Sequence, residues 1–198
     1  RKNAVITTDS PGFVVNRVLA RLLGEAMHAV ETGTPMEVVD RSTAPFGLPM
    51  TPFELLELVG LTVGAHVLDT HHAAFPDRFH RSDALHRLAE HGTILEKDGK
   101  GRRKGFDKKA VKLAEGRGTA LTADELRVRV EDGLADEVGR MLDEGVVAAA
   151  EDVDLCLVLG AGWPFQMGGV TPYLDRVGAS ERVRGRTFHD PVVRGVGR

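Results

Sequence analysis

The chain has a single cysteine, Cys156, and so no internal disulfide. Cys156 sits in an apolar run, where a buried, inert thiol is expected rather than a nucleophile. No apolar stretch is long enough to cross a bilayer, and no signal-peptide pattern opens the chain, so the expected location is cytoplasmic. Neither sign of charge dominates: 26 Lys and Arg stand against 29 Asp and Glu, a net charge of −3. That balance excludes bulk attraction to nucleic acid or a membrane surface. Strand signals are sparse, with few alternating β-branched runs and no Asn-Gly turn. His-Glu-x-x-His is missing, so His66, His71, His72, His80, His86 and His91 read as solvated helix-face residues rather than metal ligands. No Ser-His-Asp set can be assembled from spacing, and Glu54, Glu57 and Asp40 make no convincing carboxylate pair. The run Leu155–Gly162, LCLVLGAG, resembles a dinucleotide-binding strand and loop. It holds Phe165 where the third Gly belongs, and too little chain follows to complete that fold, so it is read as helix and loop.

What is present is a soluble globular composition, 42% hydrophobic and 28% charged over 198 residues, organised by helical periodicity. Val15, Val18, Leu19, Leu22, Leu23, Ala26, Met27 and Val30 form one apolar stripe. Arg17, Arg21, Glu25, His28 and Glu31 fall on the other side. Ser10 is placed to cap this helix, with Pro11 in its first turn and Gly33 as its stop. Asn16 is out of place in such a run. It is either an exposed amide or a neutral group able to hydrogen-bond a substrate oxygen or orient a base. Thr34, Thr51 and Thr122 each begin a capping box that opens a further helix. Helices are also expected over Leu61–Ala74 and Ser82–His91, and a short one over Thr171–Val177. The Arg-containing tail, with Arg182, Arg184, Arg186, Arg194 and Arg198, reads as irregular.

Residues Glu96–Gly118 carry nine basic residues and three early glycines. They read as a loop entering a short helix, and serve either as a linker or as a holder of phosphates. Around them the chain repeats itself. A long helix ending in Gly, a Val-Asp step, a Pro/Gly loop and a short helix ending in Val-Gly occur twice, at Gly33, Val39-Asp40 and Val59-Gly60, then at Gly145, Val153-Asp154 and Val177-Gly178. The expected fold is all-α: two related helical units, residues 1–118 and 119–198, with no Rossmann domain.

PGFVVNRVL, FGLPMTPFELLELVG, the run Gly92–Phe106 and DVDLCLVLGAGWPFQMGG together resemble the C-terminal region of the 3-hydroxyacyl-CoA dehydrogenases. The tandem copy is similar to the multifunctional fatty-acid oxidation alpha subunits. The chain departs from the family pattern at Thr51 (usually Gly), Glu57 (usually Asp), Arg102-Arg103-Lys104 and Asp107 (usually Tyr). The resemblance implies a 6-phosphogluconate-dehydrogenase-C-terminal-like helical fold and oxidation of an L-3-hydroxyacyl-CoA by NAD. It gives Asn16 a catalytic-site position and makes Arg103, Lys104 and Phe106 candidates for substrate contact. It places NAD, with the catalytic His and Glu, on a domain outside this chain, beside an enoyl-CoA hydratase domain. It also implies an acyl-CoA substrate, a packing or dimerisation surface, and a homodimer or thiolase subunit as partner. The chain opens on Arg1 rather than Met, which reads as a fragment inactive alone. The alternative is a non-enzymatic helical interaction module.

Overall fold

The computed structural model describes residues 3–190. Ten α-helices follow in order: α1 Val15–Glu31, α2 Met36–Thr43, α3 Pro52–Val59, α4 Leu61–Ala74, α5 Asp83–His91, α6 Lys108–Ala114, α7 Ala123–Asp143, α8 Ala150–Gly160, α9 Val170–Arg176 and α10 Ala179–Arg184. A short antiparallel hairpin, β1 Leu95–Lys97 with β2 Arg103–Phe106, interrupts them. The protein is all-α in class, built from two related helical units. α1, α2, α3 and α4 recur in order as α7, α8, α9 and α10, and each α2–α3 or α8–α9 connection contains one 3₁₀ turn, at Ala44–Phe46 and Phe165–Met167.

The units meet as an isologous pair would, with residue i of one touching residue j of the other and the converse. α1 packs on α7. Counting from the stops Gly33 and Gly145, Arg17 corresponds to Arg129 and Glu25 to Glu137. Arg17 binds Glu137 through Nε at 2.7 Å, and Arg129 binds Glu25 at 2.6 Å. Between these ion pairs a Cβ on Gly133 would stand 2.8 Å from Arg21 Nε. The connecting loops mirror this arrangement. A Cβ on Gly47 would lie 3.2 Å from Pro164, and one on Gly162 would lie 3.3 Å from Pro49. Phe46 stacks on Trp163 at 6.0 Å and meets Tyr173 edge-on at 5.5 Å, closing the core between the units.

Each unit also places two acids at corresponding positions. Glu57 accepts the Thr93 hydroxyl at 2.7 Å and the N–H groups of Ile94 and Leu95. Asp175 accepts the N–H groups of Phe188 and His189 at 2.9 Å each, and the Ser180 hydroxyl. Asp40 takes the Arg103 guanidinium, and Asp154 takes the N–H and hydroxyl of Thr171. Burial pushes both aspartic carboxyls above the usual range, against these partners.

Several local expectations change. α1 starts at Val15, four positions beyond the expected first turn, because Gly12 and Phe13 both take positive φ, +75° and +50°. The Ser10 hydroxyl instead accepts Arg17 Nη1 at 3.1 Å. Arg17 lies on no solvent face: it is fully buried, because α7 covers that side of α1. Thr34 caps nothing; it is buried, and its hydroxyl accepts the Leu121 N–H at 3.0 Å. The boxes at Thr51 and Thr122 form as expected. The basic segment folds into the hairpin because Asp98 accepts the N–H groups of Lys100 and Arg102, at 2.9 Å each, and Glu57 holds its base. Arg182 and Arg184 are helical, tied to Asp132 and Asp143 on α7. Arg194 and Arg198 lie outside the described residues.

The histidines are mostly partnered rather than solvated. His71 is buried, with Nδ1 2.7 Å from the Val67 carbonyl, and His72 bonds the Phe79 carbonyl. His80, His86 and His91 face Glu31, Asp69 and Asp107. No metal-holding group of His, Cys, Asp and Glu occurs among the described residues.

Candidate functional site

The first turn of α1 is held rigidly from below. Arg17 donates to Glu137, Glu144 and Ser10, and its guanidinium lies 4.8 Å from the Phe75 ring centroid. Glu137 is fully buried, and burial raises its carboxyl against the pull of Arg17. Gly12 presses on His71: a Cβ there would lie 2.1 Å from His71 Nε2. Burial lowers the His71 pKa, aided by the charge of Arg17 and opposed by the Val67 carbonyl, to which Nδ1–H is donated. Phe13, 53% exposed, takes a left-handed conformation that costs a non-Gly residue about 1–2 kcal/mol. Such strain persists only where the surroundings enforce it.

This rigid base presents Asn16, which is exposed, at the junction of two cavities. One, of about 200 Å³, is a groove between α1, α3 and α4 lined almost wholly by aliphatic side chains, including Leu19, Leu23, Leu55, Val59 and Val63. The other, of about 410 Å³, runs between Asn3, Val5, Thr7 and Phe13 on one side and α8 on the other. Such a pairing of apolar walls with a few placed polar groups is the usual construction of a small-molecule site. Cys156 is half-buried in the α8 wall rather than sealed in the core, and burial and Asp152 raise its thiol pKa.

The other candidates lie apart, as neither cavity at Asn16 is lined by Arg103, Lys104 or Phe106. Arg103 donates to Asp40 at 2.5 Å, Thr51 at 3.3 Å and Glu54 at 3.4 Å. Phe106 is buried edge-on to Phe53 at 5.3 Å, beneath the Arg103 guanidinium. Lys104 is exposed, 3.2 Å from Glu96. Asp107 is the N-cap of α6. It accepts the N–H groups of Ala110 and Lys109 and binds His91, which together hold its carboxyl below the usual range. The run LCLVLGAG lies in α8 and its C-terminal end, so the residues here form no dinucleotide cradle. Sequence patterning missed the strained Phe13 and the α8 residues Leu155 and Leu159. The first shows no signal in a helical stripe, and the others come from the distant half of the chain.

Residues 12–105 match the family model of the 3-hydroxyacyl-CoA dehydrogenase C-terminal domain. The fatty acid oxidation complex subunit alpha of Vibrio parahaemolyticus is 31% identical over 189 residues, 92% of this chain and 27% of that protein. Its counterpart in Vibrio cholerae is 31% identical over 196 residues, 95% of this chain and 28% of that protein. The chain thus spans only about a quarter of the length of these relatives. The crystal structure of 3-hydroxybutyryl-CoA dehydrogenase from Escherichia coli K12 superposes with a TM-score of 0.60 at 17% identity, over 98% of this chain and 61% of that one, a likeness of fold. Residues 12–105 are thus similar to a 3-hydroxyacyl-CoA dehydrogenase C-terminal domain, and the chain over most of its length is similar to part of the fatty acid oxidation alpha subunits.

Proposed function

We propose that this chain is the substrate-cleft and helix-packing part of an NAD-dependent L-3-hydroxyacyl-CoA dehydrogenase of fatty-acid β-oxidation. The observation that carries this reading is the exposed Asn16 amide at the meeting point of the two cavities. An uncharged amide can donate to the substrate's 3-oxygen as hydroxyl or ketone, without the desolvation cost of an ion. The aliphatic groove between α1, α3 and α4 takes the alkyl tail. Lys104, on the exposed hairpin, is the candidate for a CoA phosphate, while Arg103 and Phe106 act by seating that hairpin on α2 and α3. NAD, and the His and Glu that remove the hydroxyl proton, belong to a domain outside this chain, with an enoyl-CoA hydratase domain beyond it.

The second unit, residues 119–198, occupies the face that a second subunit would otherwise cover. Its retained Arg129 and its Val128, which stands where Asn16 stands in the first unit, fit a packing copy that has no site of its own. A thiolase subunit and a cytoplasmic setting complete the proposal.

Calorimetric titration of the chain with acetoacetyl-CoA tests it. Binding should occur and weaken about three- to tenfold in Asn16→Leu, the worth of one neutral hydrogen bond. The purified chain should produce no NADH from a 3-hydroxyacyl-CoA and NAD. Titration without binding would refute the cleft assignment, and NADH production would refute the assignment of catalysis to a separate domain.

A further inference from the structure

The larger cavity at Asn16 is not built by the first unit alone. Its far wall is α8: Leu155, Cys156, Leu159 and Gly160 face Phe13, Val15 and Asn16 across it. α8 reaches this position because Gly160 has no side chain. A Cβ there would stand 3.1 Å from Val15 Cγ2. The N-terminal segment that roofs the cavity is also tied to the second unit, with the Thr8 N–H donating to the Val146 carbonyl at 3.0 Å. Leu155 and Leu159, one helical turn apart, are 37% and 61% exposed, an apolar surface left open beside a cavity.

The two cavities differ in character as the two ends of a 3-hydroxyacyl thioester differ. From the carbon bearing the 3-oxygen, an alkyl tail runs one way. The thioester and its amide-bearing pantetheine arm run the other. With the 3-oxygen on Asn16, the aliphatic groove suits the tail, and the larger cavity, edged by Asn3 and Thr7, suits the arm. We infer that the second unit is part of the substrate site, with Leu155 and Leu159 of α8 seating the thioester–pantetheine arm of the substrate bound at Asn16. This inference rests on the reading of Asn16 as the contact to the 3-oxygen. It gives the packing copy a direct part in recognition.

Cys156 is the chain's only cysteine and lies on the same wall, so it reports occupancy directly. Alkylation of Cys156 by iodoacetamide, at a pH where its raised thiol ionises, is followed by intact mass with and without saturating acetoacetyl-CoA. The thioester should slow the reaction at least about tenfold, since a buried ligand excludes reagent from the cavity. In parallel, Leu159→Glu at this exposed position should leave the fold intact. It should weaken acetoacetyl-CoA binding by about tenfold, as expected for one lost apolar contact, while decanoate, which needs only the groove, binds as before. If acetoacetyl-CoA binds in an Asn16-dependent way but Cys156 reacts at its free rate and Leu159→Glu binds normally, the α8 assignment is overturned and the Asn16 reading stands. If acetoacetyl-CoA binds neither the parent chain nor its variants, both fall.

Discussion

Replacing Arg17 by Met should cost the protein a large share of its stability. Arg17 and Glu137 are both fully buried. The guanidinium gives Glu137 its Nε bond at 2.7 Å, and it also serves Ser10 and Glu144 at 3.1 Å each. Met fills most of the volume, so the loss is chiefly electrostatic: Glu137 is left in the interior with Arg78 as its nearest cation, 3.9 Å away. Breaking one side of a buried pair costs about 3–5 kcal/mol, and the residual Arg78 places Arg17→Met at the lower end, about 3 kcal/mol. Burial already raises the Glu137 carboxyl, with Arg17 opposing that rise, so removing Arg17 raises it further. A carboxyl whose folded pKa exceeds its unfolded one binds more protons when folded, so stability falls as pH rises between the two values. The variant's deficit should therefore be larger at neutral pH than in mild acid. Urea unfolding across pH measures this. The double variant Arg17→Met/Glu137→Leu completes the cycle and should recover most of the loss, because no charge is then stranded. A single variant losing less than about 1 kcal/mol, or a double variant losing the sum of its parts, would refute the claim that desolvation governs this pair.

Three further outcomes follow from particular contacts. Gly12→Ala should destabilise the chain by about 2 kcal/mol, through positive φ and the clash with His71, and should weaken acetoacetyl-CoA binding by moving the turn before Asn16; urea unfolding and calorimetry read the two effects. Thr51→Ala should cost about 1 kcal/mol in urea unfolding by removing the α3 cap and one Arg103 partner. Glu57→Ala should speed amide exchange at Ile94 and Leu95 and loosen the hairpin. Burial raises the Glu57 carboxyl, but the N–H groups of Ile94 and Leu95, the Thr93 hydroxyl and Lys97 together bring it below its ordinary value. The stability it supplies is therefore present above the unfolded carboxyl pKa and lost as pH falls through the folded one, so parent and variant should exchange alike in strong acid.

The amino-acid order by itself determined the helical class, most helix limits and the doubled plan. Thr51 and Thr122 with their glutamates, and the stops at Gly33, Gly60 and Gly145, are local signals that need no tertiary partner. Asn16 stood out for the same reason, being a poor helix former in an otherwise periodic run. Tertiary structure decided the rest, because those outcomes depend on groups far apart in the chain. Arg17 looked like a surface residue until α7 closed over it, and Thr34 looked like a cap until Leu121 claimed its hydroxyl. Glu57 turned a glycine-containing basic segment into a hairpin by gathering N–H groups from residues well downstream. The larger cavity exists only because α8, from the opposite end of the chain, comes to rest against Val15. Periodicity encodes which face of a helix is apolar, whereas what covers the other face depends on how the two units pack.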